Sequence, residues 1–135
     1  MTDPSIQAYI RKDAYAKFIG ATIEAIEPGY CRVSVTVSES MLNFHGATHG
    51  GIVFGLGDIA FAAACNSHGQ TAVALNVNIA FIRATQAGAH LVAEAKEVSL
   101  SNSTALYDII VIESNSNQLV AKIQASAYRK RETFV

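Results

Sequence analysis

Residues 49–67, HGGIVFGLGDIAFAAACNS, present small or apolar side chains on almost every side. Nineteen residues are too many for an ordinary strand, and Asn66, Ser67 and Gly69 supply a helix end, so the segment predicts one helix. A helix that is apolar all round has to be enclosed by other elements. The remainder of the chain must therefore provide a cover for this helix.

Alternation of apolar and polar residues predicts that cover to be a sheet. Residues 21–37 predict strand, turn and strand around Glu27-Pro28-Gly29, and residues 38–48 predict a loop. Four strands are expected after the helix, at 71–82, 90–100, 104–113 and 118–128. Short polar turns make the last three an antiparallel meander.

Two further patterns complete the predicted layout. Residues 4–18 predict one short N-terminal helix, with Ile6, Tyr9, Ile10 and Phe18 on one face. In the strand at 71–82, alternation places five apolar side chains on one face: Val73, Leu75, Val77, Ile79 and Phe81. The chain is thus predicted to be a single α+β domain, 1–135, with an antiparallel sheet wrapped around the central helix.

Charge and composition narrow the classes of partner. Ten basic residues nearly balance eleven acidic ones, which argues against nucleic acid or an anionic membrane as a partner. No apolar run is long enough for a membrane span and no secretory signal is evident, so a cytoplasmic location is expected. Half of the residues are hydrophobic and only 16% are charged, which favours an oligomer. Cys31 and Cys65 are expected to be free, buried thiols.

Asp58 is the only formally charged residue between Glu39 and Arg83, histidines aside. A carboxylate in an apolar helix is costly unless it is paired, hydrogen-bonded or protonated, and no basic residue lies within one helical turn. Two interpretations stay open from the residues alone. Asp58 either takes part in chemistry or merely caps a neighbouring loop or reaches solvent.

The residues at the start of the helix favour the first interpretation, in which Asp58 takes part in chemistry. Thr48 is predicted to cap it, and Gly50 and Gly51 leave the first amides uncovered, where they attract negative charge. An acid or base together with an anion-stabilising helix end are the parts needed for acyl transfer to water. Gly50 and Asp58, however, are separated by roughly 12 Å along the axis. Two antiparallel helices about a two-fold axis would bring them together as composite sites in a dimer.

The spacing Asn43-x-His45-Gly46-x-x-His49-Gly50-Gly51, followed after six residues by Asp58, resembles the hot-dog-fold acyl-CoA thioesterases. The continuation AFAAACNSHG is similar to the phenylacetate-degradation (PaaI-type) branch. The resemblance covers essentially the whole chain. It implies the hot-dog fold, a long helix wrapped by a curved antiparallel sheet, and it suggests a dimer of dimers.

Carried over to this chain, the resemblance implies a role for several residues. Asp58 would be the nucleophile or the general base that activates water, and the amide of Gly50 would polarise the thioester carbonyl. Asn43 would orient water or substrate, and His49 would approach the thioester. Ala74 stands where certain members have a serine, so no hydroxyl is expected to help orient water there.

Other residues are weaker candidates for substrate binding. Gly51, Phe54 and Phe61 lie near the expected site, although the two rings could equally belong to the core. Arg83 is a candidate for the phosphates of coenzyme A. The same role is open to a basic cluster near the C-terminus, unless that cluster is a solvated tail: Lys122, Arg129, Lys130 and Arg131. His45 and His49 lack a third ligand, so no metal is predicted, and thioester hydrolysis needs no cofactor.

The predicted function is hydrolysis of an acyl-CoA with an aromatic or short-to-medium acyl group. Two alternatives on the same fold are a non-catalytic acyl-CoA binding module and an enoyl-CoA hydratase or dehydratase.

Overall fold

A computed structural model describes residues 2–135 and has a curved antiparallel sheet wrapped around one long helix. The predicted hot-dog arrangement is therefore confirmed. The elements follow one another as α1 (Pro4–Ile10), α2 (Ala14–Ile19), β1 (Thr22–Glu27), β2 (Tyr30–Thr36), a short 3-10 helix (Glu39–Met41), α3 (Gly50–Asn66), β3 (Gln70–Phe81), β4 (His90–Leu100), β5 (Thr104–Glu113) and β6 (Gln118–Thr133).

The six strands lie in the order β1-β2-β4-β5-β6-β3, and every neighbouring pair is antiparallel. Strands β4, β5 and β6 form the predicted meander. Strand β3, which directly follows α3, pairs with β6 at one side of the sheet. Strands β1 and β3 are therefore the two edges.

Helix α3 contacts all six strands. Leu56, Ala60 and Ala64 on its inner side are fully buried. Gly57 also faces the sheet, and a Cβ atom at this position would overlap Cδ1 of Ile123 on β6. The small residues of α3 thus allow a close approach between the helix and the sheet.

The bounds of α3 agree with the predicted helix, but the prediction that it is buried all round was wrong. Gly51 and Asp58 are exposed, and Phe54 and Ala62 are only partly buried. These four residues lie on one side of α3 because their spacing follows the helical repeat. The sheet covers the opposite side of the helix and leaves this outward stripe uncovered.

The single N-terminal helix predicted for residues 4–18 was also wrong, because the chain forms two helices. The first helix ends at Ile10, and Asp13 caps the second, its Oδ1 accepting a hydrogen bond from the amide of Ala16 at 3.0 Å. Phe18, predicted on the apolar face, is 86% exposed. The helical pattern was real, but the capping preference of Asp13 breaks it.

A β-bulge in β3 overturns the predicted single apolar face of that strand. Ala74 pairs with Ala127 and Asn76 pairs with Ser126, so Leu75 is an additional residue between adjacent partners. The bulge therefore places Val73 on the face opposite to Val77, Ile79 and Phe81, because each inserted residue reverses the alternation.

Cys31 and Cys65 are free and buried, as predicted. Burial raises the pKa of each thiol to about 12, so both are protonated at neutral pH. Within residues 2–135, no helix combines the length and the apolar character needed to cross a bilayer.

Candidate active site

The loop before α3 is closed by an isolated bridge between Leu42 and Thr48. Inside it, Asn43 donates its backbone amide to the carbonyl of Ala47 at 2.7 Å. The side-chain Oδ1 of Asn43 accepts from the amides of His45, at 2.9 Å, and Ala47, at 3.2 Å. The carboxamide oxygen thus organises the loop, while its NH2 group donates to no atom of residues 2–135.

Thr48 does not cap α3, contrary to the prediction. Its hydroxyl lies 2.7 Å from the hydroxyl of Thr85, and its amide donates to the carbonyl of Thr85 at 3.0 Å. Both side chains are buried. This pairing joins the loop before α3 to the segment that follows β3, and it leaves capping to the next residue.

His49 is the N-cap of α3, and its Nδ1 accepts a hydrogen bond from the amide of Gly51 at 2.8 Å. An accepting Nδ1 leaves the hydrogen of the neutral imidazole on Nε2. The Gly51 amide is consequently occupied by the cap.

Gly50 provides the one amide of the first turn with no acceptor in the described chain. Ile52 and Val53 both donate to the carbonyl of His49, at 2.9 and 3.3 Å, and Gly51 donates to its ring. The Gly50 N–H lies at the positive end of a seventeen-residue helix. An unpaired donor in this position is suited to an oxyanion.

The helix start opens into a cleft of about 320 Å³ that brings together Asn43, Gly50 and Arg83. The ring of Phe81 forms part of its wall, and a Cβ atom at Gly50 would lie 3.4 Å from that ring. Three residues proposed separately from the sequence therefore share one cavity.

Asp58 is not among the residues that line this cleft. It lies two helical turns along α3, on the outward stripe, where no hydrogen bond or ion pair reaches its carboxylate from residues 2–135. Although Asp58 is exposed to solvent, the protein packed around it removes part of the water from its carboxyl group, which raises the pKa, and the negative charge of Asp13 raises the pKa further. The geometry thus separates the unpaired amide from the acid within one chain, as the spacing predicted.

The N-terminal segment covers part of the outward stripe around Asp58, which sequence patterns did not indicate. Asp13 is close enough to raise the pKa of Asp58. Tyr15 covers Gly55, where a Cβ atom would lie 2.7 Å from the tyrosine Oη. These contacts join residues about forty positions apart, and no local pattern in the sequence predicts them.

The two candidate rings have different environments. Phe61 is 2% exposed and makes an edge contact with Tyr107, with ring centroids 5.6 Å apart. It belongs to the core, which corrects its assignment to the substrate pocket. Phe54 is only partly buried on the outward stripe.

The candidate basic residues lie in two different parts of the fold. Arg83 is exposed at the cleft. The C-terminal basic cluster is not a solvated tail, because it belongs to β6, which runs to Thr133. Lys122 lies 4.0 Å from Asp108, and Arg129 donates to the carbonyl of Ser101 at 2.6 Å.

Comparison with known proteins decides the family. A family model described as the thioesterase superfamily matches residues 45–120, which include Gly50, Asp58 and Arg83. The chain belongs to the thioesterase superfamily. It is therefore a thioester hydrolase.

Individual relatives of this thioesterase extend over nearly the whole chain. A putative esterase of Archaeoglobus fulgidus is 40% identical over 92% of this chain and 80% of its own length. The acyl-coenzyme A thioesterase PaaI of Escherichia coli is 38% identical over 90% of this chain and 86% of its own.

Solved structures have the same fold. The Escherichia coli PaaI protein from the phenylacetic acid degradation operon superposes with a TM-score of 0.90, covering 94% of this chain and 91% of its own at 38% identity. A Streptococcus mutans protein solved with bound acetyl-CoA is 26% identical, with a TM-score of 0.78, and covers 82% of this thioesterase and 88% of its own chain.

Proposed function

We propose that this thioesterase hydrolyses acyl-CoA thioesters in sites shared between two subunits. The observation that carries the proposal is the unpaired amide of Gly50 at the start of α3, open to a cleft beside Asn43 and Arg83. The relationship to an acyl-coenzyme A thioesterase and to a protein with bound acetyl-CoA supports the substrate class.

The Gly50 N–H would donate to the thioester carbonyl oxygen, which gains negative charge when the carbonyl carbon is attacked. The helix dipole adds to this stabilisation because the amide lies at the N-terminus of α3. The free NH2 group of Asn43 and the imidazole of His49 lie at the same helix start and would orient substrate or water there.

Asp58 would provide the attacking group, either directly or by removing a proton from water. In the general-base route, water oxygen bonds to the carbonyl carbon, the carbon–sulfur bond breaks, and the proton held by Asp58 passes to the leaving sulfur. A raised pKa favours this role because it makes the carboxylate a stronger base. In the nucleophilic route, a carboxylate oxygen of Asp58 bonds to the carbonyl carbon, the carbon–sulfur bond breaks and coenzyme A leaves as its thiolate. Water then hydrolyses the mixed anhydride, which regenerates Asp58, releases the acid and supplies the proton that the thiolate takes up.

A second subunit is needed because eight residues, or roughly 12 Å of helix axis, separate Gly50 from Asp58. Strand β3 offers the surface for it, since this twelve-residue edge strand pairs on one side only. Its exposed apolar side chains would be covered by a second copy: Val73, Leu75 and Phe81, with Ile82 just beyond the strand. Antiparallel pairing of β3 with itself about a two-fold axis would also set the two α3 helices antiparallel.

Substrate selection is assigned to the groups around the cleft. Arg83 would pair with a phosphate of coenzyme A, for which a guanidinium is well suited. The relationship to a protein of the phenylacetic acid degradation operon favours an aromatic acyl group over a short or medium straight chain.

The test is thiol release from phenylacetyl-, hydroxyphenylacetyl-, benzoyl- and straight-chain acyl-CoAs by wild type and by Asp58→Asn. Loss of the carboxylate is expected to lower kcat by about a hundredfold to ten-thousandfold. Asp108→Asn, which removes a surface carboxylate on β5, is the matched control. No thiol release by wild type from any substrate would refute the proposal, and full activity in Asp58→Asn would remove Asp58 from the mechanism.

A further inference from the structure

A cavity of about 580 Å³ lies along the outward side of α3 just beyond Asp58. Its inner wall includes Ala62, Ala63 and Asn66, and Ala62 follows Asp58 by one helical turn. Its outer wall comes from α1 and from Phe134 near the C-terminus. The volume lies in the range typical of small-molecule sites.

Aromatic and small apolar side chains form most of the walls of this cavity. The rings of Tyr9 and Phe134 stack with centroids 4.6 Å apart and an interplanar angle of 28°. Opposite them stand the methyl groups of Ala62 and Ala63. Aromatic rings facing small side chains leave a slot that accommodates another ring in an offset or edge contact.

Asn66 adds no free polar group to the slot. Its Nδ2 donates to the carbonyls of Ala62 and Ala72, at 2.9 and 3.0 Å, and its Oδ1 accepts from the amide of Ala72 at 2.9 Å. The polar residues of the cavity are Lys12 and Asp13, and Nζ of Lys12 lies 5.3 Å from the centroid of Tyr9. An apolar occupant would therefore leave no buried hydrogen-bonding group of Asn66 without a partner.

The slot and the acid are adjacent. Ala62 and Asp58 share the outward stripe and are separated by roughly 6 Å along the helix axis. Asp13 lines the cavity and also raises the pKa of the Asp58 carboxyl group. A thioester carbon held beside Asp58 would lie about one helical turn from this cavity, close enough for its acyl group to enter it.

We infer that the Tyr9–Phe134 slot is the acyl-binding subsite and that it takes a single aromatic ring. This inference rests on the proposed function only for the position of the thioester. An acetyl group is too short to enter the slot, whereas an arylacetyl group places its ring between Phe134 and Ala62. Helix α1 and Phe134 thus select the acyl group, and the start of α3 binds the carbonyl.

The test uses ketone thioethers of coenzyme A, in which a methylene between sulfur and carbonyl prevents hydrolysis. Binding of the phenylacetonyl and acetonyl thioethers is measured by titration calorimetry. We expect wild type to prefer the phenylacetonyl compound by roughly tenfold to a hundredfold, as burial of a ring predicts. A straight-chain ketone thioether of equal carbon number is expected to gain less.

Ala62→Leu fills the slot, so this variant is expected to bind the phenylacetonyl and acetonyl thioethers with about equal affinity. Ala8→Leu makes the same change on an exposed face of α1 and should retain the ratio of the two affinities. Phe134→Ala removes a ring near the chain end and provides a second variant should Ala62→Leu fail to fold. In this variant the preference for the phenylacetonyl over the acetonyl thioether should fall several-fold.

Equal affinities in wild type, an unchanged ratio in both slot variants, or an equal gain for the straight chain would overturn the inference. Thiol release is measured separately in wild type. A preserved ring preference without thiol release would refute the hydrolytic function and leave the subsite intact. Thiol release without a ring preference that depends on the slot would support the hydrolytic function and refute the subsite.

Discussion

Gly50→Pro removes the proposed oxyanion donor and little else. Gly50 is the first residue of α3, where proline is tolerated because the helix does not need that amide. His49 before it has φ −61° and ψ 137°, a conformation compatible with a following proline. The nearest obstacle is the ring of Phe81, 3.4 Å from the position of a Cβ atom. Gly50→Ala adds the same Cβ atom, retains the N–H and is the matched control.

Loss of one oxyanion donor typically lowers kcat by about a hundredfold to a thousandfold, or about 3 to 4 kcal/mol of transition-state stabilisation. We expect this decrease in Gly50→Pro and a much smaller one in Gly50→Ala. Circular dichroism and urea unfolding should show that both variants stay folded. Equal decreases in kcat for the two variants would indicate that the added carbon atoms, and not the lost N–H, reduce the rate.

The same variant tests whether each site is shared. In the proposed dimer, a Gly50→Pro homodimer lacks the amide of both sites, and an Asp58→Asn homodimer lacks the carboxylate of both sites. Unfolding the two proteins together and refolding them yields mixed dimers in about half of the population, and a shared arrangement restores one site in each mixed dimer. Activity per chain should therefore rise to about a quarter of the wild-type value. Refolding each variant alone gives the baseline.

Activity that stays at the baseline, although mixed dimers are detected by differential tags, would refute the shared site. It would mean that Gly50 and Asp58 of one chain act together despite their separation along α3. A light-scattering measurement that finds an active monomer would refute it as well.

Three further results are expected. Asp13→Asn retains a capping side chain but removes a negative charge near Asp58, so the pKa of Asp58 should fall and the acidic limb of the kcat/KM profile should move to lower pH. Because folding raises the pKa of Asp58, the folded state holds the proton more tightly, and the free energy of unfolding should decrease as pH rises above the ordinary aspartate range. Urea unfolding of Asp58→Asn should lack this decrease and show greater stability than wild type only at the higher pH. Gly57→Ala should lower the free energy of unfolding by about 1 kcal/mol, because the added Cβ atom overlaps with Ile123. Ile123→Val deletes the overlapping Cδ1 atom, so a double-mutant cycle of the two substitutions should show a coupling energy above about 0.5 kcal/mol. Additive effects of the two substitutions would contradict this packing.

Much of the fold could be predicted from the sequence because its signals are local. The length and composition of α3 required an enclosing cover, the alternation in β4 to β6 predicted strands, and the short polar turns between them predicted an antiparallel meander. The errors have equally physical causes. Asp13 can cap a helix as well as continue one, and a bulge at Leu75 is decided by pairing with β6. Neither choice is encoded in the apolar pattern alone.

Residues of the candidate site also differ in whether a local sequence signal indicates them. Gly50 and Asp58 could be proposed for the candidate site from the sequence because one lies at a helix start and the other is an isolated charge. Asp13 and Tyr15 could not, since their proximity to α3 depends on how the N-terminal segment folds back over it. Thr48 was assigned to the cap because a threonine commonly caps, whereas its hydroxyl pairs with Thr85.

The surroundings of Asp58 argue that its role is chemical. A carboxylate retained for stability would have an amide or a cation to pair with, yet this one has neither among residues 2–135. Loss of water around the carboxyl group disfavours its charged form and raises its pKa, and repulsion by Asp13 adds to this effect. Replacing it with a neutral residue should therefore stabilise the fold at neutral pH. A residue that costs stability on an otherwise apolar helix supports the proposal that Asp58 acts as the base or nucleophile, because transfer of an acyl group to water needs such a group.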